Sequence, residues 1–221
     1  MRSLSRLEKP NILVEKEITW TKAYINSKKD RPDNSKYGHS EIRNQLCRIS
    51  FKKCYYSEVK FASETEGQVD HYIEVTENKN LAFDWDNLYL SHKDCNQGKP
   101  SNLSLPNSNT LNPFVDNDNE IENHLTFEDE FITAKNNSAK GLNTIKKYRL
   151  DKDIFNILRS KELRKFEKLL IEIYKKMNMS NRKINELEIN ALNTFGQPDS
   201  AFSLMFKIHL KKHNLLNNTN N

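Results

Sequence analysis

The 221 residues carry 35 Lys and Arg against 30 Asp and Glu, a net charge of +5 and a pI near 8.9, with 29% charged and 36% hydrophobic residues. That length holds one domain, or a small core with appended elements, and the mild basicity suits a polyanion partner without requiring one. Three cysteines make no disulfide framework, the first residues are not an apolar leader, and no run reaches the roughly 20 apolar residues of a membrane span. The expectation is a reduced, cytoplasmic protein with no membrane attachment, in which clustered Cys and His point to metal. Five glycines favour helices over a hairpin-rich all-β fold.

Residues 11–27 are predicted to be helical, with Ile12, Leu13, Ile18, Trp20, Ala23, Tyr24 and Ile25 as the apolar positions and Pro10 suited to the first turn. Residues 28–37 (KKDRPDNSKY) read as a polar loop built on Pro32 and Asp33-Asn34. Ser40 caps a helix through Ile49, with Ile42, Leu46 and Ile49 on one face and Cys47 beside it as a small buried hydrophobe. Val69, His71 and Ile73 alternate with Asp70, Tyr72 and Glu74, which is strand periodicity. A polar loop follows over 74–80, then a second short strand over 88–90. A short helix starts at Cys95 and is ended or kinked by Pro100.

Residues 105–122, rich in Asn, Asp and Pro, read as irregular. From Thr144 the pattern is helical. Ile154, Leu158, Phe166, Leu169, Leu170 and Ile173 form a stripe capped by Asp151 or Asp153 and broken over 178–182. Another helix spans 184–195. A last one starts at Pro198-Asp199, with Phe202, Met205, Phe206 and Leu210 on one face, and the Asn-rich 214–221 tail frays. The stripes read as core, and the basic residues of 161–176 as a solvated face.

The chemistry concentrates in residues 69–99, VDHYIEVTENKNLAFDWDNLYLSHKDCNQGK. Hydrolysing a phosphodiester needs a base to activate water and a cation to stabilise charge. His71 suits the base, since neutral imidazole is available near pH 7. Asp70 and Asn96 offer oxygen to a hard cation such as Mg²⁺ or Mn²⁺, and Lys99 offers a point charge to a phosphate. Adjacent strand residues point to opposite faces, so Asp70 and His71 serve one phosphate only if the strand twists or ends there.

In its order and spacing this stretch resembles the HNH motif, the ββα-metal finger, with His71, Asn87 and Asn96 as its three letters. LAFDWDNLYLS followed by CNQGK, together with Asn112-Pro113, residues 116–127 and GLNTIKKYRL before Arg159, is similar to the PtuB-like family of HNH nucleases, the nuclease component of Septu and retron-associated anti-phage systems. The resemblance runs from about residue 54 to 159. It implies an α+β, mostly helical fold: a helical segment over 1–50, a ββα finger with a degenerate zinc knuckle over 51–105, then an irregular linker and helices over 106–221. It also implies that Asn87 orients the His71 loop, that the substrate is nucleic acid (DNA by the superfamily's habit, RNA left open), and that a PtuA-like ATPase is the partner. The alternative reading is a non-catalytic finger or helical adaptor that assembles an ATPase complex.

Two departures from the family stand out. The segment after His71 reads HYIEV, without the family's usual basic run. The knuckle has Cys54, Ser57, His92 and Cys95 where the family has four cysteines. Three ligands for a structural Zn²⁺ remain, Cys54, His92 and Cys95. Either a weakened zinc is completed by water or Glu58, or Tyr55 and Tyr56 pack the knuckle without metal.

Overall fold

Helices dominate the computed structural model, which describes residues 1–216; the tail expected to fray lies outside the described residues from 217 onward. The fold is α+β and mostly helical, with two small antiparallel sheets. Among the described residues no helix is long and apolar enough to cross a membrane.

Helix α1 (Asn11–Ile25) starts behind Pro10 in extended conformation. Leu13 and Tyr24 are buried, and Ile12 and Trp20 pack on the core. Ile18 and Ile25, expected among the core positions, face outward with Val14, because α1 rests on its neighbours by a narrow face. The polar loop contains a one-turn helix, α2 (Asn34–Tyr37), which Asp33 caps by accepting from the Ser35 N–H at 3.0 Å. The cap of α3 (Ser40–Ile49) is His39 rather than Ser40: its Nδ1 accepts from the Glu41 N–H at 3.3 Å. Ile42, Leu46, Cys47 and Ile49 are all buried.

Strands β1 (Gln68–His71) and β2 (Leu88–Ser91) pair antiparallel, with Asp70 opposite Tyr89 and His71 opposite Leu88. Helix α4 (Lys93–Asn96) completes a ββα unit. It stops earlier than Pro100 alone would dictate. Gln97 is extended and Gly98 takes φ +73°, a conformation that favours glycine.

The segment expected to be irregular ends in a helix, α5 (Asp118–His124), capped by Asn117. A hairpin of β3 (Leu125–Glu128) and β4 (Phe131–Ala134) follows, turning through Asp129 at φ 50°. Helix α6 (Ala139–Tyr148) starts ahead of Thr144, capped by Ser138. Helix α7 (Asp153–Met179) has no side-chain cap; neither Asp151 nor Asp153 serves as one, and Asp153 lies in its first turn. Phe166 and Ile173 are buried along it, while Ile154 is exposed. Helix α8 (Glu186–Asn193) carries a capping box of Asn185 and Glu188. Helix α9 (Ser203–Lys212) starts later than Pro198, after a left-handed Phe202, and Phe202, Met205, Phe206 and Leu210 are buried as expected.

Two features hold the ββα unit in place. Residues 1–10 strap its back: Arg6 donates to the carbonyls of Leu88 and Asp86, each at 2.8 Å, and its guanidinium lies 3.8 Å from the Phe114 ring centroid. The Trp85 indole N–H donates to the Leu7 carbonyl at 3.0 Å. Below the sheet, the rings of Tyr148, Tyr56, Tyr89 and Tyr72 stack in sequence. Tyr55 and Tyr56 are fully buried in that packing. Glu58 sits in a sealed pocket. It accepts from Lys53 Nζ (3.2 Å), Ser203 Oγ (2.6 Å), the Leu204 N–H (3.2 Å) and the Met1 amine (3.2 Å).

Candidate active site

β1 ends at His71, and the termination settles the facing problem posed by adjacent strand residues. Asp70 and His71 both line one cleft of about 350 Å³, together with Asn96 and Lys99 from the α4 end. Asn87 stands behind it, buried. Its Oδ1 accepts from the Ile73 N–H at 2.7 Å, and its Nδ2 donates to the Ile73 and Leu81 carbonyls, each at 3.0 Å. Its own carbonyl accepts from the Tyr72 N–H at 2.9 Å. One amide thus fastens the backbone that follows His71, the task an orienting residue would have.

His71 Nε2 lies 2.9 Å from the Ala82 carbonyl. A carbonyl only accepts, so Nε2 carries the proton and the lone pair of the neutral ring is on Nδ1. Burial pushes the imidazole pKa below the ordinary histidine range, although the Ala82 bond and the Asp70 charge oppose that. A neutral, oriented imidazole is what a general base requires. The Tyr37 ring meets His71 edge-on at 4.8 Å between centroids.

Lys99 is not free to await a phosphate. Its Nζ donates to both Asp70 oxygens, each at 2.7 Å, and to the His71 carbonyl at 3.0 Å. The expected phosphate contact is not what this structure displays: the flexible lysine stem folds back to neutralise a carboxylate that is only 5% exposed. The ammonium marks where Asp70 holds a cation. Asn96 donates from Nδ2 to Gln68 Oε1 at 3.1 Å, and its Oδ1 has no partner among the described residues. A carboxylate and a free amide oxygen on one cleft are a hard-oxygen donor set that fits Mg²⁺ or Mn²⁺ with places left for water and substrate.

The knuckle is different. The Cys54 and Cys95 sulfurs lie 3.9 Å apart, and the Ser57 N–H donates to Cys54 Sγ at 3.4 Å. Burial opposes ionisation of Cys54. The bonds it receives from Cys95 and Ser57 outweigh that and bring its thiol down to about 6, while burial and its neighbour push Cys95 well up. Two sulfurs on one tetrahedral zinc would sit about 3.8 Å apart, so the pair suits a metal, but the third expected ligand is engaged elsewhere. His92 Nδ1 caps α4 by accepting from the Asp94 N–H at 3.2 Å, and its ring packs against Phe61 and Phe155. Glu58 is committed to its sealed pocket. Among the described residues no three His, Cys, Asp or Glu side chains converge to hold a metal. Of the expected zinc set of Cys54, His92 and Cys95, the structure brings the two thiols together and gives the imidazole to the cap of α4.

Sequence reasoning missed the part of the cleft lining that comes from before the motif. Arg31, Pro32 and Tyr37, from the loop around α2, supply it. No local pattern marks them, since a polar loop carries no periodicity that says what it covers.

Residues 45–102 match the HNH endonuclease family. The chain is also 28% identical over 146 residues to the Septu protein PtuB of Bacillus thuringiensis, across 66% of this chain and 52% of that protein. The chain therefore spans about half the length of the curated relative it matches. The ββα unit with its Asp70-His71 cleft, the match over 45–102 and the similarity to PtuB together support a PtuB-like protein with an HNH endonuclease domain.

Proposed function

We propose that the chain is a divalent-metal-dependent endonuclease that hydrolyses phosphodiester bonds of nucleic acid, with DNA as the first substrate to test, within an anti-phage defence system. The observation that carries the reading is the end of β1 at His71, which turns a carboxylate and an oriented neutral imidazole onto one cleft. His71 Nδ1 takes the proton of the attacking water. Asn87 keeps that ring in place by fastening the backbone at Ile73. Asp70 and Asn96 would hold the cation, with Lys99 yielding its place on Asp70 to it. The bound ion supplies charge stabilisation for the phosphate and the leaving oxygen. His71→Ala is expected to lower metal-dependent cleavage by on the order of 10²–10⁴-fold with the fold kept. Undiminished cleavage by that variant would overturn the assignment.

A partner ATPase completes the proposal. Its support is the similarity to a Septu protein and the apolar side chains left facing outward on two helices: Val14 and Ile18 on α1, and Ile157 and Ile171 on α7. Co-expression with a PtuA-like ATPase should yield a complex that Ile18→Glu weakens. An unaltered complex would remove α1 from the interface.

A further inference from the structure

Part of the cleft lining comes from before the motif, and its chemistry is unaccounted for by the motif. Arg31 lines the same cleft as Asp70, His71 and Lys99. The backbone on either side of Arg31 is held. The Tyr24 hydroxyl donates to the Asp30 carbonyl at 2.8 Å, Pro32 is buried, and Asp33 caps α2. The side chain between these anchors is exposed and takes part in no hydrogen bond or ion pair among the described residues. Tyr37 lines the same cleft and its ring meets His71 edge-on at 4.8 Å between centroids.

The charges on the cleft make this arrangement informative. Lys99 is spent on Asp70, at 2.7 Å to both oxygens. Glu74 adds a negative charge to the lining. An anionic phosphodiester entering here meets one cation not already neutralised among the described lining residues, Arg31. A guanidinium presents a rigid fork of donors that matches phosphate oxygens two at a time. A fixed backbone with an unengaged fork at the mouth of a site is pre-organised for an anion, because no internal bond has to be broken to receive it.

We infer that Arg31, held over the cleft by the loop between α1 and α2, grips the phosphate being cleaved by donating to its non-bridging oxygens. The inference rests on the nuclease reading of the same cleft. It makes the N-terminal segment part of the active site, contributing a substrate contact from about 40 positions before the Asp-His pair.

The test uses the full chain, a labelled duplex DNA oligonucleotide and Mn²⁺. Arg31→Ala is expected to lower kcat/KM by about 10²-fold, the usual loss for one charge-stabilising donor, and Arg31→Lys to recover part of it. The melting temperature and Mn²⁺ affinity of Arg31→Ala should equal those of the wild type, since the side chain holds nothing else together. Cleavage by Arg31→Ala within about threefold of wild type overturns the inference. Should the wild type cleave no nucleic acid, the nuclease reading itself fails, and Arg31 is decided by binding to the same duplex. Arg31→Ala should then weaken binding several-fold and reduce the salt slope by about one. An unchanged affinity and slope overturn the inference on that arm.

Discussion

Two lysine–carboxylate pairs of this fold, Lys53–Glu58 and Lys99–Asp70, are built to opposite ends. Lys53 and Glu58 are each 3–4% exposed, and Glu58 accepts from four donors drawn from the N-terminus, its own knuckle and α9. Lys99 and Asp70 stand on a cleft wall, and Asp70 has one donor, Lys99 itself. A carboxylate with every lone pair answered by fixed groups has nothing to exchange. One that relies on a single flexible ammonium beside solvent can trade it for another cation. The same pair of residue types is a rivet in one place and a removable occupant in the other, and the difference lies in how many neighbours are committed.

Substitutions should pull the two apart. At the sealed pair, Glu58→Ala leaves the Lys53 ammonium buried without its counter-charge and should cost about 3–5 kcal/mol of stability. Urea denaturation measures this; a loss below about 1 kcal/mol would show the two pairs to be alike. At the open pair, Asp70→Asn should keep the melting temperature within a few degrees and lower cleavage by on the order of 10²-fold. A large drop in melting temperature would make Asp70 structural.

A smaller effect sharpens the idea of a removable occupant. Lys99→Met eliminates the competing ammonium, so Mn²⁺ affinity measured by calorimetry without nucleic acid should rise by about tenfold, or ~1.4 kcal/mol. Unchanged or weaker binding would show that the ammonium does not compete. The smallest effect is one of pH. Burial would raise the Glu58 pKa, but the Met1 and Lys53 ammonium groups hold it well below the ordinary glutamate range. The unfolded chain therefore takes up a proton first, so this contribution is fully present above pH about 4.5 and is lost as the pH falls below it. Glu58→Gln should flatten that acid limb of the stability curve, and an unchanged limb would assign it to other carboxylates.

The finger was readable because its information is local. Strand alternation located the start of β1 to within a residue, though it ran three residues past the end at His71, and Asp70, His71 and Asn96 line one cleft. What sequence could not disclose depends on contacts between distant residues. The spacing of Lys99 says nothing about whether its ammonium faces a phosphate or folds onto Asp70, because both lie within reach of the same stem. His92 looked like a ligand by residue type, yet its Nδ1 answers an orphan N–H at the start of α4. The hairpin of β3 and β4 was hidden by Asn- and Asp-rich flanks that read as loop, and its turn uses Asp129 in the left-handed region rather than a glycine. On α1, periodicity gave the helix but not the width of the face it buries, so Ile18 was counted as core while 70% of it is exposed.

The strap formed by residues 1–10 has a consequence for anyone wishing to transplant this domain. Cut at its motif boundaries, the finger would leave Arg6 and Phe114 behind, and with them the cover over the Trp85 and Tyr89 rings. It would also lose the Leu7 carbonyl that receives the Trp85 indole N–H. An excised 51–105 fragment would present an aromatic floor to water where the whole chain presents a guanidinium clamped to two carbonyls. Such a fragment should stick to itself and to other apolar surfaces. The smallest portable form of this domain carries its first ten residues along.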